Sequence, residues 1–169
     1  QPKHSIVIRN VVNLPHKNVQ ATLAQKPYLL LVGRLAEQKN IRLAIDIVKS
    51  LHEKNYELDL IVIGEGNLLC DLQDYAERLG LLQHIKFLGS KKNVNEYYSS
   101  AYATILTSNY EGFPNVLIES MSCGTPVVAH NCKSGPAELI VNGKNGFLVG
   151  FKNILEFVDA IIKINNIDR

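Results

Sequence analysis

Residues 28–54 read YLLLVGRLAEQKNIRLAIDIVKSLHEK, and apolar residues are spaced in two different ways along this stretch. YLLLVG, residues 28–33, is a short apolar run that ends at a glycine, which is typical of a strand buried on both faces. Residues 40–54 carry apolar side chains at helical spacing. A second apolar run, LDLIVIG, follows at residues 58–64. This order predicts two parallel strands joined by a crossover helix.

The same alternation continues to the end of the chain. Further strands are predicted at residues 85–88, 103–107, 126–129 and 146–149. Further helices are predicted at residues 68–79, 93–100, from 113 or 114 onward, 134–141 and 153–164. The apolar residues of the helix at 68–79, Leu69 among them, are expected on its apolar face. We therefore expect an α/β fold, a Rossmann-like doubly wound parallel sheet of about six strands. Ligands of such sheets bind at the carboxyl ends of the strands, so functional residues should follow the strands directly.

Composition excludes several classes of function. The chain has 169 residues, 46% of them hydrophobic, and a formal net charge of +2, as expected for a globular chain of one domain. Lys91 and Lys92 form the only short basic cluster, so nucleic acid is not an expected partner. The longest apolar runs are strand-sized, too short to span a membrane. Three cysteines without CxxC spacing favour a reducing, cytoplasmic setting.

Two cations follow the first predicted strand, in GRLAEQKN at residues 33–40. Gly33 allows the backbone to turn, Arg34 lies at the strand tip, and Lys39 directly precedes the helix. Unpaired amides at a helix N-terminus, together with Arg and Lys side chains, suit a phosphate group. The alternative is a surface ion pair between Arg34 and Glu37.

A G-x-G sequence, Gly64 and Gly66, follows the second predicted strand. It does not complete the dinucleotide-binding pattern, because Leu69 occupies the third glycine position and the strand is not the first of the series. We interpret the two glycines as a tight turn that also lets a ligand approach the backbone. A plain turn is the alternative.

Two glutamates bracket the segment EGFPNVLIE at residues 111–119. Proline suits the first turn of a helix, so the helix should begin at residue 113 or 114 with Glu111 at the strand tip. Glu119 lies about 7–8 Å along the helix, but helical side chains tilt toward the N-terminus, so its carboxylate can face the same opening. Free amides for an anion are expected at Asn115, Val116 and Leu117.

The two glutamates therefore provide acceptors for hydroxyl groups on either side of a segment that is predicted to bind phosphate. This arrangement suits a ligand in which a sugar is joined to a ribose through a diphosphate. The alternative is that both acids only complement the helix dipole.

Five segments together resemble the carboxyl-terminal donor-binding domain of the family 4 glycosyltransferases. They are GRLAEQKN, IGEG, FLGS, NYEGFPNVLIESMSCGTPVVAH and NGKNGFLV, and they span about residues 28–150. Glu111 and Glu119 match the E-x7-E pattern of the family. VIRNVVN, residues 7–13, is similar to the entry from the interdomain hinge. The resemblance divides the chain into a hinge-proximal segment, 1–16, and a single nucleotide-sugar-binding domain, 17–169.

The resemblance implies the GT-B architecture and retaining transfer of a sugar, without a bound metal or cofactor. Arg34 and Lys39 would hold the diphosphate and stabilise its charge in the transition state, with Gly33 close by. Glu111 would contact the donor sugar, with a covalent nucleophile role as the alternative, and Glu119 would accept the ribose hydroxyls. Further donor contacts are expected at Gly64, Leu88, Gly89, Lys91, Phe113, Pro114, Asn115, Val116 and Leu117.

The implied function is that of a hexosyltransferase domain in surface polysaccharide biosynthesis, with a UDP-sugar as the favoured donor and a glycan or lipid-linked glycan as acceptor. The resemblance covers one half of a two-domain enzyme, so the amino-terminal domain is expected to be missing from this chain and the chain alone is expected to be inactive. The enzyme is expected in the cytoplasm, or peripherally at the inner face of the membrane. The alternatives are a nucleotide-sugar 2-epimerase domain and a non-catalytic nucleotide-sugar-binding module. His130 is interpreted as a structural residue, with a contact to the donor as the alternative. Cys123 and Cys132 are interpreted as small buried or half-buried residues rather than nucleophiles.

Overall fold

The computed structural model describes residues 26–133 and 135–167. The predicted hinge-proximal segment, including VIRNVVN at residues 7–13, lies outside the described residues. In the described part of the chain, no helix is both long enough and apolar enough to cross a lipid bilayer.

Six parallel strands form one sheet in the order β3-β2-β1-β4-β5-β6, which confirms the predicted fold class. The strands are β1 (Tyr28–Val32), β2 (Asp59–Ile63), β3 (Ile85–Phe87), β4 (Ala103–Leu106), β5 (Val127–His130) and β6 (Gly146–Val149). Each lies within one or two residues of its predicted position, the usual uncertainty of element ends.

Helices cover both faces of this sheet. They are α1 (Ile41–Glu53), α2 (Leu69–Arg78), α3 (Asn95–Ser100), α4 (Asn115–Ser122), α5 (Pro136–Leu139) and α6 (Ile154–Lys163). Short 3₁₀ segments lie at Glu37–Lys39, Leu82–His84 and Ile164–Asn166. Helix α1 packs against α2 and α6, whereas α4 packs against α3 and α5. The sheet is therefore sandwiched between two helical layers, as in doubly wound folds.

Successive residues of β1 supply the cores of both layers. Leu29 and Leu31 pack in the cluster under α1, α2 and α6, whereas Tyr28 and Leu30 pack in the cluster under α3. Side chains of a strand alternate between the two faces of the sheet, so a strand covered on both faces must be apolar throughout. This requirement explains the uninterrupted run YLLLV.

Two predicted helix details are wrong. Helix α4 begins at Asn115 rather than at residue 113 or 114, because Pro114, with ψ of 80°, has a non-helical backbone and occupies the N-cap position. On α2, Leu69 was expected on the apolar face but is 36% exposed. Leu69 is the first residue of α2, and the residues that this helix buries are Leu72 and Ala76, one and two turns further on.

Gly64 and Gly66 allow the loops after β1 and β2 to approach each other closely. A Cβ atom added at Gly64 would lie 1.9 Å from the carbonyl oxygen of Gly33. A Cβ atom added at Gly66 would lie 2.2 Å from the carbonyl oxygen of Leu35. The Leu35 amide donates to the Glu65 carbonyl over 2.9 Å across the same contact. The close approach that these glycines allow in the structure is thus to neighbouring backbone.

We expect Gly66→Ala to lower the free energy of unfolding by about 1–3 kcal/mol, because the added methyl group must push the two loops apart. Gly112→Ala is a matched control, since neither glycine has a positive φ and no described atom lies within 4 Å of a Cβ at Gly112. Urea unfolding of both variants measures the effect. Equal stability of the two variants would contradict this account of the loop contact.

Candidate functional site

The candidate site lies where the strand order reverses. The chain passes from β1 outward to β2 and β3, then returns to place β4 on the other side of β1. The loops after β1 and β4 are therefore neighbours at the carboxyl edge of the sheet, the position where doubly wound sheets bind ligands. Arg34 and Lys39 follow β1, and Glu111 follows β4.

Among the described residues, four hydrogen bonds between uncharged groups join the loops after β1 and β4. Thr107 Oγ1 donates to the Lys39 carbonyl over 2.8 Å, and the Asn109 amide donates to the Gln38 carbonyl over 2.8 Å. The Asn109 side chain donates to the Glu37 carbonyl, and the Gln38 side chain donates to the Tyr110 carbonyl, both over 2.9 Å. These bonds fix the main chain that carries Lys39 relative to the main chain that carries Glu111.

An ion pair connects the side chains of the two loops. Lys39 Nζ lies 2.6 Å from Glu111 Oε1, and the two side chains are only 16% and 7% exposed. Charge-assisted hydrogen bonds of this kind are shorter and stronger than neutral ones. The structure thus brings together a cation and a carboxylate that are 72 positions apart in the sequence.

Gly33 leaves room for the Lys39 side chain to reach Glu111. A Cβ atom at Gly33 would lie 3.1 Å from Lys39 Cε, so a larger residue would crowd the lysine. Arg34, the third charged residue predicted for this region besides Lys39 and Glu111, is exposed. The alternative pairing with Glu37 is not formed, and Arg34 has no ion pair or hydrogen bond with its side chain among the described residues.

Glu119 is the fifth residue of α4, because the helix begins at Asn115. The distance along the helix from its first residue is about 6 Å. The first turn of α4 contains no acidic residue, so the structure does not support the alternative that both glutamates complement its dipole. Glu119 is half-buried, and its Oε2 atom accepts a hydrogen bond of 2.9 Å from the Tyr98 hydroxyl.

The prediction of three free amides at the start of α4 is wrong for two of them. The Asn115 amide donates to the Phe113 carbonyl and the Leu117 amide donates to the Pro114 carbonyl, both over 3.0 Å. The non-helical backbone at Pro114 produces a tight turn whose carbonyl groups satisfy these amides. An anion at this turn would have to compete with those bonds or use Val116.

The predicted residues after β3 lie two strands away from β1. Gly89 accepts a hydrogen bond of 2.9 Å from the Gly64 amide, and the Leu88 amide donates to the Val62 carbonyl over 2.9 Å. Lys91 is exposed. Adjacent strands are about 4.8 Å apart, so the tip of β3 lies roughly 10 Å from the tip of β1 along the same edge.

His130 is a buried structural residue at the end of β5. Its Nδ1 atom lies 3.3 Å from the Ser108 carbonyl oxygen, and its Nε2 atom accepts a 2.7 Å hydrogen bond from the Lys152 amide. This pattern requires the neutral tautomer with the proton on Nδ1. Burial lowers the pKa of His130, which favours the same neutral form.

The cysteines fit the structural interpretation. Cys132 is buried and Cys123 is half-buried, and burial raises the pKa of both thiols, so both stay protonated near neutral pH. Among the described residues, no group of three or more His, Cys, Asp or Glu side chains is placed to hold a metal ion.

Sequence reasoning missed Tyr98 and the polar residues that join the two loops. Tyr98 is fully buried, and in the sequence it is indistinguishable from a core aromatic residue of a short amphipathic helix. Thr107 and Asn109 follow β4 directly, so the rule that functional residues follow strands could have found them. The bonds of Gln38 depend on a turn of 3₁₀ helix that the sequence pattern did not indicate.

The sequence belongs to the family described as glycosyl transferases group 1, which it matches over residues 15–168. Among curated relatives, it is 32% identical over 156 residues to the amylovoran biosynthesis glycosyltransferase AmsD of Erwinia amylovora, which covers 89% of this chain and 43% of AmsD. The chain therefore spans less than half the length of this relative.

Solved structures agree with this assignment. The apo form of the lipopolysaccharide outer core galactosyltransferase WaaB is 31% identical with a TM-score of 0.79, covering 92% of this chain and 44% of WaaB. A variant of S. aureus TarM, solved with fondaparinux, α-GlcNAc-glycerol and UDP, is 25% identical with a TM-score of 0.86, covering 95% of this chain and 32% of TarM. The fold is thus that of a GT-B glycosyltransferase domain.

We expect Lys39→Met to lower the free energy of unfolding by up to about 3 kcal/mol, because the substitution removes the cation beside a buried carboxylate. Glu111→Gln in the same chain should restore most of that loss, since the amide carries no charge. Urea unfolding of the two single variants and the double variant gives the coupling energy, which should exceed about 1 kcal/mol.

Lys49→Met is the control for this comparison of the Lys39 and Glu111 variants. Lys49 lies 3.8 Å from Glu53 in an exposed pair whose side chains are 47% and 64% exposed, so its loss should cost less than about 0.5 kcal/mol. A loss for Lys39→Met as small as that of Lys49→Met would show that the buried pair contributes nothing to the loop arrangement.

Proposed function

We propose that this chain is the carboxyl-terminal, donor-binding half of a family 4 retaining glycosyltransferase that transfers a hexose from a nucleoside diphosphate, with a UDP-sugar as donor. Residues 17–169 form the donor domain in this proposal, and residues 1–16 lead into it from the hinge. Family membership supports a transferase over a 2-epimerase or a non-catalytic binding module. The unpaired cysteines agree with a cytoplasmic protein.

The contact between Lys39 and Glu111 carries this proposal. In a nucleotide sugar, the sugar and the diphosphate meet at one bond, so the groups that recognise them must also lie side by side. Lys39, proposed to bind the diphosphate, lies 2.6 Å from Glu111, proposed to bind the sugar. An ammonium group has three N–H donors, so Lys39 is able to hold Glu111 and a phosphate oxygen at once.

Charge complementarity explains how the site would act on the donor. When the bond between the anomeric carbon and the diphosphate oxygen breaks, the sugar gains oxocarbenium character and the leaving group gains negative charge. Arg34, which is exposed at the tip of β1, and Lys39 would stabilise that negative charge. The ion pair with Lys39 supports an orienting role for Glu111 toward sugar hydroxyls over a nucleophile role.

The remaining predicted residues would contact other parts of the donor. Glu119 would accept the ribose hydroxyls, and the loop with Leu88, Gly89 and Lys91 would lie beside the base. The separation of roughly 10 Å between the tips of β1 and β3 supports this arrangement, because the base lies at the far end of the donor from the sugar. The backbone of Phe113 and Val116 would contact sugar and phosphate.

Activity requires a second half in this proposal. The chain spans less than half the length of AmsD and WaaB, so acceptor contacts would come from an amino-terminal domain, and this chain alone would not turn over. The names of these relatives support a glycan or lipid-linked glycan as acceptor and a role in surface polysaccharide biosynthesis. No metal ion takes part in the proposed reaction.

We expect Arg34→Ala and Glu119→Ala each to weaken the binding of UDP by about 1–3 kcal/mol, the loss typical of one hydrogen bond to a charged group. Calorimetric titration of wild type and variants with UDP measures the effect. GDP and ADP, titrated in parallel, test the choice of base.

Arg78→Ala and Glu53→Ala are matched controls with the same loss of charge outside the site. Arg78 lies on α2 over the Tyr75 ring, and Glu53 ends α1. Both should bind UDP as wild type does. Unchanged affinity in Arg34→Ala and Glu119→Ala, with measurable binding to wild type, would remove the site assignment.

A further inference from the structure

The hydroxyl of a buried tyrosine, Tyr98, contacts one of the predicted site residues, Glu119. The ring of Tyr98 lies in the apolar cluster with Tyr28, Leu30, Ile61 and Ile63, and the whole residue is 0% exposed. Its hydroxyl nevertheless lies 2.9 Å from Glu119 Oε2. A hydroxyl placed in an apolar cluster is stable only when it has a partner, and here that partner is the half-buried glutamate of the helix after β4.

The direction of this hydrogen bond is fixed by chemistry. An ionised carboxylate has no proton to give, so the Tyr98 hydroxyl must be the donor. Burial and the neighbouring Glu119 carboxylate raise the pKa of Tyr98, which keeps its proton on the hydroxyl. Tyr98 therefore remains a donor over the whole range of physiological pH.

The main chain of Tyr98 is also held in place. Thr125 Oγ1 donates to the Tyr98 carbonyl over 2.5 Å, and the Tyr98 amide donates to the Val94 carbonyl over 3.0 Å. Thr125 in turn is tied to α4, because Ser120 Oγ lies 3.0 Å from its carbonyl oxygen. Helices α3 and α4 are thus joined by bonds that set the distance between Tyr98 and Glu119.

An unrestrained glutamate loses considerable side-chain freedom when it binds a ligand, up to about 2 kcal/mol. Tyr98 has already restricted this freedom at Glu119 by holding one carboxylate oxygen. Each carboxylate oxygen accepts about two hydrogen bonds, and among the described residues Tyr98 is the hydrogen-bond partner of the Glu119 carboxylate. Within that part of the chain, Oε1 and the second lone pair of Oε2 therefore remain for a ligand. Preorganisation of this kind increases both affinity and selectivity.

We propose that Tyr98 is a positioning residue of the donor site, whose buried hydroxyl orients Glu119 to recognise the 2′-hydroxyl of a ribonucleoside diphosphate. This inference rests on the proposed function, in which Glu119 accepts the ribose hydroxyls. In this inference, Glu119 and Tyr98 together discriminate between ribose and 2′-deoxyribose. Glu119 contacts the ligand, whereas Tyr98 contacts only Glu119.

The test compares the binding of UDP and 2′-deoxy-UDP to wild type, Tyr98→Phe and Tyr28→Phe by NMR titration. Tyr28 is the matched control, because it is a buried tyrosine of the same cluster, but its hydroxyl donates to the Tyr97 carbonyl over 2.8 Å rather than to a carboxylate. Wild type should prefer UDP about tenfold, the value of one hydrogen bond to the 2′-hydroxyl.

Tyr98→Phe should lower this preference to about threefold or less, mainly through weaker binding of UDP. Tyr28→Phe should leave the preference within about twofold of wild type. A merely structural role of Tyr98 would weaken both ligands equally and leave the ratio unchanged, and that result would overturn the inference. Absence of UDP binding to wild type would instead overturn the proposed function on which the inference rests.

A second measurement covers the case in which Tyr98→Phe does not fold. In wild type, the hydroxyl proton of Tyr98 should give a slowly exchanging NMR resonance that persists and shifts when UDP is added. Loss of this resonance on addition of UDP would show that Glu119 leaves Tyr98 to bind the ligand, which would overturn the inference.

Discussion

The candidate site depends on one constraint, the adjacency of β1 and β4. These strands pair in parallel although the chain forms β2 and β3 between them, so the loops that follow them emerge side by side at one edge of the sheet. Four hydrogen bonds and the Lys39–Glu111 ion pair then join the two loops. Pairing of β4 with another strand would separate the cation from the carboxylate.

The ion pair also affects the net charge of the candidate site. A buried carboxylate beside a diphosphate would repel it, and a buried cation alone would be costly to desolvate. Together, Lys39 and Glu111 are nearly neutral, while Arg34 at the exposed tip of β1 adds net positive charge. In the proposed function, the net positive charge would attract the diphosphate, while Glu111 beside it would accept sugar hydroxyls.

The sequence predicted the elements better than the contacts between them. Apolar runs locate all six strands, because a strand that is buried on both faces of the sheet must carry apolar side chains at nearly every position. The rule that ligands bind at strand ends selected Arg34, Lys39 and Glu111. It did not predict that Lys39 and Glu111 touch, since their proximity depends on strand order, on a 3₁₀ turn and on the space above Gly33.

Other features were missed because local pattern and three-dimensional environment disagree. Gly64 and Gly66 indicated a tight turn, either plain or approached by a ligand, and neither interpretation included the close contact with the loop after β1 that the structure shows. Pro114 indicated a first helical residue, but its ψ angle makes it a cap. The sequence around Tyr98 indicates a buried core residue, which Tyr98 is. That its hydroxyl also contacts Glu119 depends on the position of α4 relative to α3, which the sequence does not show.

In the proposed function, the loops after β1 and β4 bind one nucleoside diphosphate. Backbone amide shifts of the ¹⁵N-labelled chain, mapped during titration with UDP, would show where the nucleotide binds. We expect shifts concentrated at residues 33–40 and 111–119, with smaller ones at 88–91. Absence of shifts, or shifts confined to the cavity beside Gly124, Pro126 and Asn145 at the amino ends of β5 and β6, would contradict this proposal.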